Sequence, residues 1–148
     1  MYVSETILEV RYYETDLMGV VHHSNFIRYF ECGRNDALIK LGIPIQMVEE
    51  AGIMMPVVNV VCNYKTPAKN GEKLRIVSTV TEPPKARIVI DTIIYNEKKQ
   101  IVCTGSVTLG FIHKDTRRAT RIPQYILDKF APFFNNIQNK QTTINNLI

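Results

Sequence analysis

The chain has 148 residues, of which 45% are hydrophobic and 22% are charged, and its formal net charge is +4. This length fits one domain with a hydrophobic core and is too short for two ordinary domains. The composition excludes disordered and fibrous classes, and the longest apolar run, Gly52 to Val58, is far below the ~20 residues of a membrane span. The first residues, MYVSETILEV, form neither a basic leader nor an apolar signal core, so we expect a cytoplasmic protein.

The N-terminal part of the chain predicts a strand, a loop and a helix. β-prone residues over 2–13 favour a first strand. Residues 14–24 follow neither the strand period nor the helix period, so we expect a loop there. Ser24 or Asn25 can cap a helix over 25–41, in which apolar and small residues recur every three or four positions.

Glycine and proline residues mark where helices end in the next part of the chain. Gly42 and Pro44 end the helix, and a short helix over 45–50 is expected to follow. The hydrophobic period then changes to two and predicts four strands, over residues 56–66, 72–82, 86–96 and 100–112. Because short turns separate these strands, we expect them to form an antiparallel meander.

This order of elements predicts an α+β fold of one domain over residues 1–134. The natural packing lays the amphipathic helix across one face of a curved antiparallel sheet. A further short helix is expected over 123–134, beginning at Pro123. The polar tail at 135–148, rich in Asn, Gln and Thr, is expected to be poorly ordered.

The loop between the first strand and the helix gathers polar side chains that could carry chemistry. They are Glu14, Asp16, His22, His23 and Asn25, followed by Glu31 on the helix. An aspartate in such a loop is most often a turn former or a cap. Here, however, the loop leads into a helix N-terminus, where unpaired backbone N–H groups carry the positive end of the helix dipole. A carboxylate close to donors that can polarise a carbonyl suits acyl transfer.

Three segments resemble one enzyme family. RYYETDLMGVVHHSNFIRYFECGR closely resembles the opening motif of the hotdog-fold acyl-CoA thioesterases of the 4-hydroxybenzoyl-CoA thioesterase family, especially its Tol–Pal-associated branch. NYKTPAKNGEKLRI resembles the family's Tyr-x-x-Pro-Ala-x-x-Gly-Asp segment, with Glu72 in place of Asp, and RRATRIP resembles its closing element. The resemblance covers roughly residues 5–125 and implies a hotdog fold, with one long central helix wrapped by a five-stranded curved antiparallel sheet.

The resemblance implies hydrolysis of an acyl-CoA thioester to a free carboxylic acid and coenzyme A. It makes Asp16 the central carboxylate, acting as nucleophile or as general base for water. His23 corresponds to the residue that begins the family's helix, and its N–H would help to polarise the carbonyl. Tyr12 matches a tyrosine implicated in the Tol–Pal-associated branch. Asn25 and Glu31 match recurrent family positions, Asn25 as a helix cap and Glu31 as a carboxylate that supports the site from its own subunit or from across the subunit interface.

The resemblance also implies how substrate is held and enclosed. Backbone N–H groups from Val21 to His23 would stabilise the developing oxyanion, and basic residues should contact the CoA phosphates. The candidates are Lys65, Lys69, Arg87, Lys114, Arg117 and Arg118, of which we favour Lys65 and Arg117. Family members form dimers with active sites at the interface, so a homodimer or homotetramer is expected. No cofactor and no nucleic-acid partner are expected.

Several alternatives remain open. The chain could be a hotdog protein that binds acyl-CoA or an acyl carrier protein without hydrolysing it, or an interaction protein that uses its basic surface. We expect no metal site, because the adjacent His22 and His23 could not readily converge with His113 on one ion. The cysteines, Cys32, Cys62 and Cys103, favour reduced thiols that fill the core. The identity of the acyl group does not follow from the sequence.

Overall fold

A computed structural model describes residues 1–134, and the predicted polar tail at 135–148 lies outside the described residues. The elements in chain order are β1 (Tyr2–Glu9), α1 (Ser24–Lys40), α2 (Ile45–Glu50), β2 (Ile53–Met54), β3 (Val57–Tyr64), β4 (Lys73–Val80), β5 (Arg87–Tyr95), β6 (Ile101–Gly110), β7 (Ile112–His113) and α3 (Gln124–Phe130). Single turns of 3₁₀ helix cover Tyr12–Glu14 and Ala131–Phe133. The predicted α+β class is confirmed.

Five strands form one antiparallel sheet in the order β1-β4-β5-β6-β3. The strands β4, β5 and β6 form a meander as predicted, but the predicted position of β3 was wrong. β3 pairs with β6 at one edge, with Val61 opposite Ser106, while β1 pairs with β4 at the other edge. The reason is the connection between β3 and β4. It is too long for a tight hairpin, and Val21 N–H donates to Ala68 O within it, at 2.8 Å.

The helix α1 packs against the sheet through a glycine on each side of the contact. A Cβ on Gly33 of α1 would lie 2.6 Å from Ile76 Cγ2, and one on Gly105 of β6 would lie 2.6 Å from the Phe30 ring. These close approaches explain why α1 buries the predicted face, which includes Phe26, Phe30 and Ala37. The expectation of one long central helix was wrong. α1 is a short helix of 17 residues whose contacts lie mainly with β1 and β4, toward one edge of the sheet.

Local signals at element ends were predicted with mixed success. The helix ends as expected, since Gly42 has a φ of +86° just beyond Lys40. The first strand was predicted to reach residue 13 but ends at Glu9, because the backbone turns into 3₁₀ helix where the Glu14 side chain binds the Arg11 backbone.

The three cysteines, all predicted to fill the core, differ in exposure. Cys103 is buried and Cys62 is half-buried, as core residues should be, but Cys32 is exposed on α1.

Two further features concern membranes and metals. Among residues 1–134, no helix combines the length and the hydropathy that crossing a bilayer requires. Within the same residues, no three side chains of the His, Cys, Asp and Glu types come together in a group able to hold a metal ion.

Candidate active site

Asp16 lies at the corner of a short hairpin that the sequence predicted only as a loop. Its N–H donates to Val20 O at 2.9 Å, and Gly19 N–H donates to Asp16 O at 3.0 Å. Gly19 has a φ of +78°, which glycine adopts at no steric cost and which closes the three-residue loop. The Met18 N–H donates to Asp16 Oδ1 at 2.8 Å. One carboxylate oxygen is therefore held in place, and Oδ2 has no hydrogen-bond partner within residues 1–134.

A cleft of about 250 Å³ opens beside this hairpin. It is lined by Asp16, Met18, Val20, Val21, His23, Phe26, Tyr64, Lys65, Thr66, Pro67 and Val102. Four of the predicted site residues, Asp16, Val21, His23 and Lys65, therefore meet at one surface. The cleft lies between the hairpin, the start of α1 and the segment that follows β3, and its lining is mainly apolar with the Asp16 carboxylate at its edge. Such a surface can hold an acyl group against a reactive oxygen.

The start of α1 differs from the prediction, since His23 holds the N-cap position and makes no side-chain cap hydrogen bond. The Nδ1 atom of His22 accepts a hydrogen bond from Ser24 N–H at 3.2 Å and lies 2.8 Å from Ser24 Oγ. Asn25, predicted as a cap, instead donates from Nδ2 to the Glu14 carbonyl at 2.8 Å. The cap prediction was wrong because local spacing identified the helix start but could not show that Glu14 lies within reach of the Asn25 side chain.

The backbone donors of this segment are not equally available. Val21 N–H donates to Ala68 O, and His22 N–H donates to Glu14 O at 2.9 Å. Those two groups therefore cannot stabilise an oxyanion as expected. His23 N–H donates to no acceptor in the part of the chain that the structure describes. His23 thus supplies a free backbone donor at the positive end of the α1 dipole, beside the cleft.

Glu14 anchors the hairpin from its buried side. Glu14 is buried, with 6% of its surface exposed. The carboxylate accepts hydrogen bonds from Arg11 N at 2.8 Å and from Arg11 Nε and Nη2 at 3.1 Å each. Burial alone would raise the pKa of Glu14, but the hydrogen bonds from Arg11 outweigh it and the pKa lies below the ordinary carboxyl value. The carboxylate therefore remains ionised and fixes the turn between Arg11 and Glu14. The Glu14 carbonyl joins the ends of the hairpin by accepting from His22 N–H, and it ties them to α1 by accepting from Asn25 Nδ2.

Besides Asn25, three other predicted site residues lie outside the cleft. Tyr12 is 79% exposed and lines a separate, shallower groove together with Thr6 to Tyr13 and Asn70. Glu31 points to solvent on α1, with an oxygen 3.8 Å from Arg34. Arg117 lies in the turn after β7, where its φ is +60° and its N–H donates to His113 O. The described chain does not bring these three side chains to Asp16.

The sequence analysis missed Tyr64, which closes the cleft from the end of β3. Its hydroxyl donates to His23 O at 3.2 Å. Its ring centroid lies 5.6 Å from that of Phe26 and 6.3 Å from that of His23. The available signal was the tyrosine of the NYKTP segment, which was used only for the resemblance. Cys103 is not an activated nucleophile, because burial raises the pKa of its thiol, whose Sγ lies 3.3 Å from Cys62 Sγ.

The hotdog-like sheet, the hairpin carboxylate and the helix start are features of a thioesterase. A family model described as the thioesterase-like superfamily matches residues 10–130, which include the hairpin, α1 and every strand of the main sheet except β1. The chain therefore belongs to the thioesterase-like superfamily. The predicted hotdog fold and the predicted class of thioester hydrolase are both confirmed by this membership.

Named relatives and a solved structure are similar to this chain. The Bacillus subtilis (strain 168) protein named "Putative acyl-CoA thioesterase YneP" is 35% identical over 96 residues, 65% of this chain and 70% of that protein. Acyl-CoA thioesterase YbgC of Helicobacter pylori (strain ATCC 700392 / 26695) is 27% identical over 123 residues, 78% of this chain and 90% of that protein. A crystal structure of DHNA-CoA thioesterase from Staphylococcus aureus is 36% identical, covers 99% of this chain and 95% of that one, and has a TM-score of 0.79.

Proposed function

We propose that the protein hydrolyses acyl-CoA thioesters, with Asp16 as the reacting carboxylate and His23 N–H as the donor to the carbonyl oxygen. The carrying observation is that Asp16 and His23 line the same cleft, Asp16 with one carboxylate oxygen that has no hydrogen bond and His23 with a backbone N–H that meets no acceptor within residues 1–134. The names of the relatives, which are acyl-CoA thioesterases, support the substrate class. The known chemistry of such a pair supports the roles.

Two routes use the same groups. In the first, Asp16 Oδ2 attacks the thioester carbonyl, coenzyme A leaves as a thiolate that takes up a proton, and water hydrolyses the resulting anhydride. In the second, Asp16 removes a proton from water as the water attacks, and that proton passes to the departing thiolate. Both routes consume one water and yield a carboxylic acid and coenzyme A. In both, His23 N–H stabilises the negative charge that develops on the carbonyl oxygen.

The decisive experiment measures turnover of short-chain, long-chain and aromatic acyl-CoAs by the purified full chain. We expect hydrolysis of at least one member and its loss in Asp16→Asn, while the matched surface variant Asp115→Asn keeps the wild-type rate. Turnover of no member, with binding retained, would instead favour the non-hydrolytic alternative. A wild-type rate in Asp16→Asn would overturn the assignment of Asp16.

A single turnover in ¹⁸O-labelled water separates the two routes. Label recovered in the Asp16 carboxylate by peptide mass spectrometry identifies Asp16 as the nucleophile. Label confined to the product acid favours the general-base route.

Lys65 is proposed to contact the CoA phosphates, since it is the basic residue that lines the cleft. Tyr12, Glu31 and Arg117 lie outside the cleft of their own chain, so this mechanism assigns them no role within one subunit.

We also propose a homodimer or homotetramer in which β3 forms an interface. β3 is an edge strand, and its apolar side chains, which include Val57, Val58 and Val61, are exposed. An exposed apolar edge strand is a template for pairing with another chain. Light scattering tests this with Val58→Lys, because Val58 is 48% exposed and the matched Val3 on the opposite edge is 47% exposed. We expect Val58→Lys to dissociate the oligomer and Val3→Lys to leave it intact; a monomeric wild type would count against the interface.

Three finer assignments complete the proposal. The segment RYYETDLMGVVHHSNFIRYFECGR, which resembles the Tol–Pal-associated branch of the 4-hydroxybenzoyl-CoA thioesterase family, supports membership of that branch. The similarity to DHNA-CoA thioesterase from Staphylococcus aureus supports an aromatic acyl group, which is why aromatic members belong in the substrate panel. All three cysteines are free thiols, which supports a cytoplasmic location.

A further inference from the structure

Tyr64 connects two parts of the molecule that meet at the cleft. It is the last residue of β3, where it pairs with Cys103 of β6, so its backbone belongs to the main sheet. Its ring reaches the start of α1 and packs at 59° to the Phe26 ring and at 80° to the His23 ring. The side chain therefore spans from the rigid sheet to the helix start, and it lines the cleft at the same time.

The Tyr64 hydroxyl and the first turn of α1 share the His23 carbonyl. His23 O accepts a backbone hydrogen bond from Phe26 N–H at 3.3 Å. The Tyr64 hydroxyl donates to the same oxygen at 3.2 Å. The N–H and the C=O of His23 are joined through a single Cα. Fixing the carbonyl therefore restricts the directions in which the His23 N–H can point.

We propose that Tyr64 is a positioning residue that holds the His23 peptide in place beside Asp16 and whose ring forms part of the wall against which the acyl group lies. This inference rests on the proposed function, because it assigns the free His23 N–H to the thioester carbonyl. The hydroxyl acts through His23, and it contacts no reacting atom. The ring contributes apolar surface, so ring and hydroxyl have separable effects.

Two substitutions separate those effects. Tyr64→Phe removes the hydroxyl alone, and we expect kcat to fall about 3–10-fold, the equivalent of one neutral hydrogen bond, with KM changed less than about twofold. Tyr64→Leu also removes the ring, and we expect KM to rise in addition. Tyr95→Phe is the matched control, since Tyr95 lies on β5 and stacks on Arg75, away from the cleft. Its kinetics should equal those of the wild type.

A second measurement does not depend on turnover. Amide hydrogen exchange, followed by NMR, should accelerate about threefold or more at residues 24–26, whose N–H groups are hydrogen-bonded, in Tyr64→Phe and remain unchanged in Tyr95→Phe. Wild-type kcat and wild-type exchange in Tyr64→Phe would overturn the inference, as would an equal loss in Tyr95→Phe. If the wild type hydrolyses no thioester, the proposed function fails, yet the exchange rates still decide whether Tyr64 fixes the His23 peptide. Should Tyr64→Leu fail to fold, Tyr64→Phe carries the test.

Discussion

The inner and the outer sides of the 14–22 hairpin place two carboxylates, two residues apart, in opposite environments. Glu14 is buried, and both of its oxygens are bound by Arg11. Asp16 is partly exposed at the edge of the cleft, where Met18 N–H binds only one of its oxygens. Both oxygens of the Glu14 carboxylate are therefore engaged in structural hydrogen bonds, while Asp16 keeps one oxygen available for chemistry.

The difference teaches how a short segment can separate structural from chemical roles. Alternate residues of a regular strand point to the same side, so Glu14 and Asp16 would face together in an extended chain. Here a 3₁₀ turn ends at Glu14, and the hairpin turns at Asp16. These two irregularities break the alternation and turn the second carboxylate outward.

The largest expected effect concerns the outer carboxylate. Asp16→Asn should lower kcat about 10²–10⁴-fold, because it removes the base or nucleophile but keeps the oxygen that binds Met18 N–H. Its free energy of unfolding, measured by urea denaturation, should stay within about 0.5 kcal/mol of the wild type. A variant that loses stability and activity together would break the comparison.

The inner carboxylate should show the reverse pattern. Glu14→Gln replaces charge-assisted hydrogen bonds to Arg11 with weaker ones and should lower the free energy of unfolding by about 2 kcal/mol. Its kcat should fall far less than that of Asp16→Asn. The exposed Glu82→Gln serves as the control and should leave urea denaturation unchanged. An unchanged stability of Glu14→Gln would show that the buried pair does not hold the hairpin.

Asn25→Ala should have a smaller effect of the same kind. The Nδ2 donor to Glu14 O is lost, and one neutral hydrogen bond contributes about 1 kcal/mol. Urea denaturation measures this loss, and the neighbouring exposed residue gives the control Ile27→Ala, which removes no hydrogen bond to the hairpin. If Asn25→Ala were as stable as the wild type, the link between Glu14 and α1 would be dispensable.

The smallest effect is a pH dependence of stability. Because the pKa of Glu14 lies below its ordinary value of 4.5 in the folded state, the ionised group stabilises the fold at neutral pH. That contribution is lost as the pH falls through the folded-state pKa. The stability difference between the wild type and Glu14→Gln should therefore shrink from pH 7 to pH 3, as urea denaturation at each pH will show. A difference that stays constant would mean that Arg11 does not stabilise the charge.

Much of the fold followed from local patterns. The α1 prediction, 25–41 against the observed Ser24–Lys40, rested on apolar spacing and on the Gly42 stop, both of which are properties of consecutive residues. The strands β4, β5 and β6 were predicted within a residue or two for the same reason. The position of β3 was missed, because strand periodicity identifies a strand without showing which neighbour it pairs with.

The candidate site was predictable in part. Asp16 and His23 were found because they lie in one motif at a loop and a helix start. Tyr64 was missed because its contact with His23 spans 41 residues. Val21 N–H was also expected to stabilise the oxyanion. It cannot do so, because it donates to Ala68 O in the connection after β3, far away in the sequence. No local pattern shows which backbone donors will find partners elsewhere in the chain.

The sequence by itself determined one domain of modest charge, its principal helices and strands, and a loop with a carboxylate placed just before a helix. Those features follow from interactions between residues close in the chain, which spacing and turn residues encode directly. Only the tertiary structure decided that β3 lies at an exposed edge, that His23 N–H meets no acceptor within residues 1–134 and that the Tyr64 hydroxyl donates to His23 O. These outcomes depend on which surfaces are buried together, and that is a property of the whole packed chain.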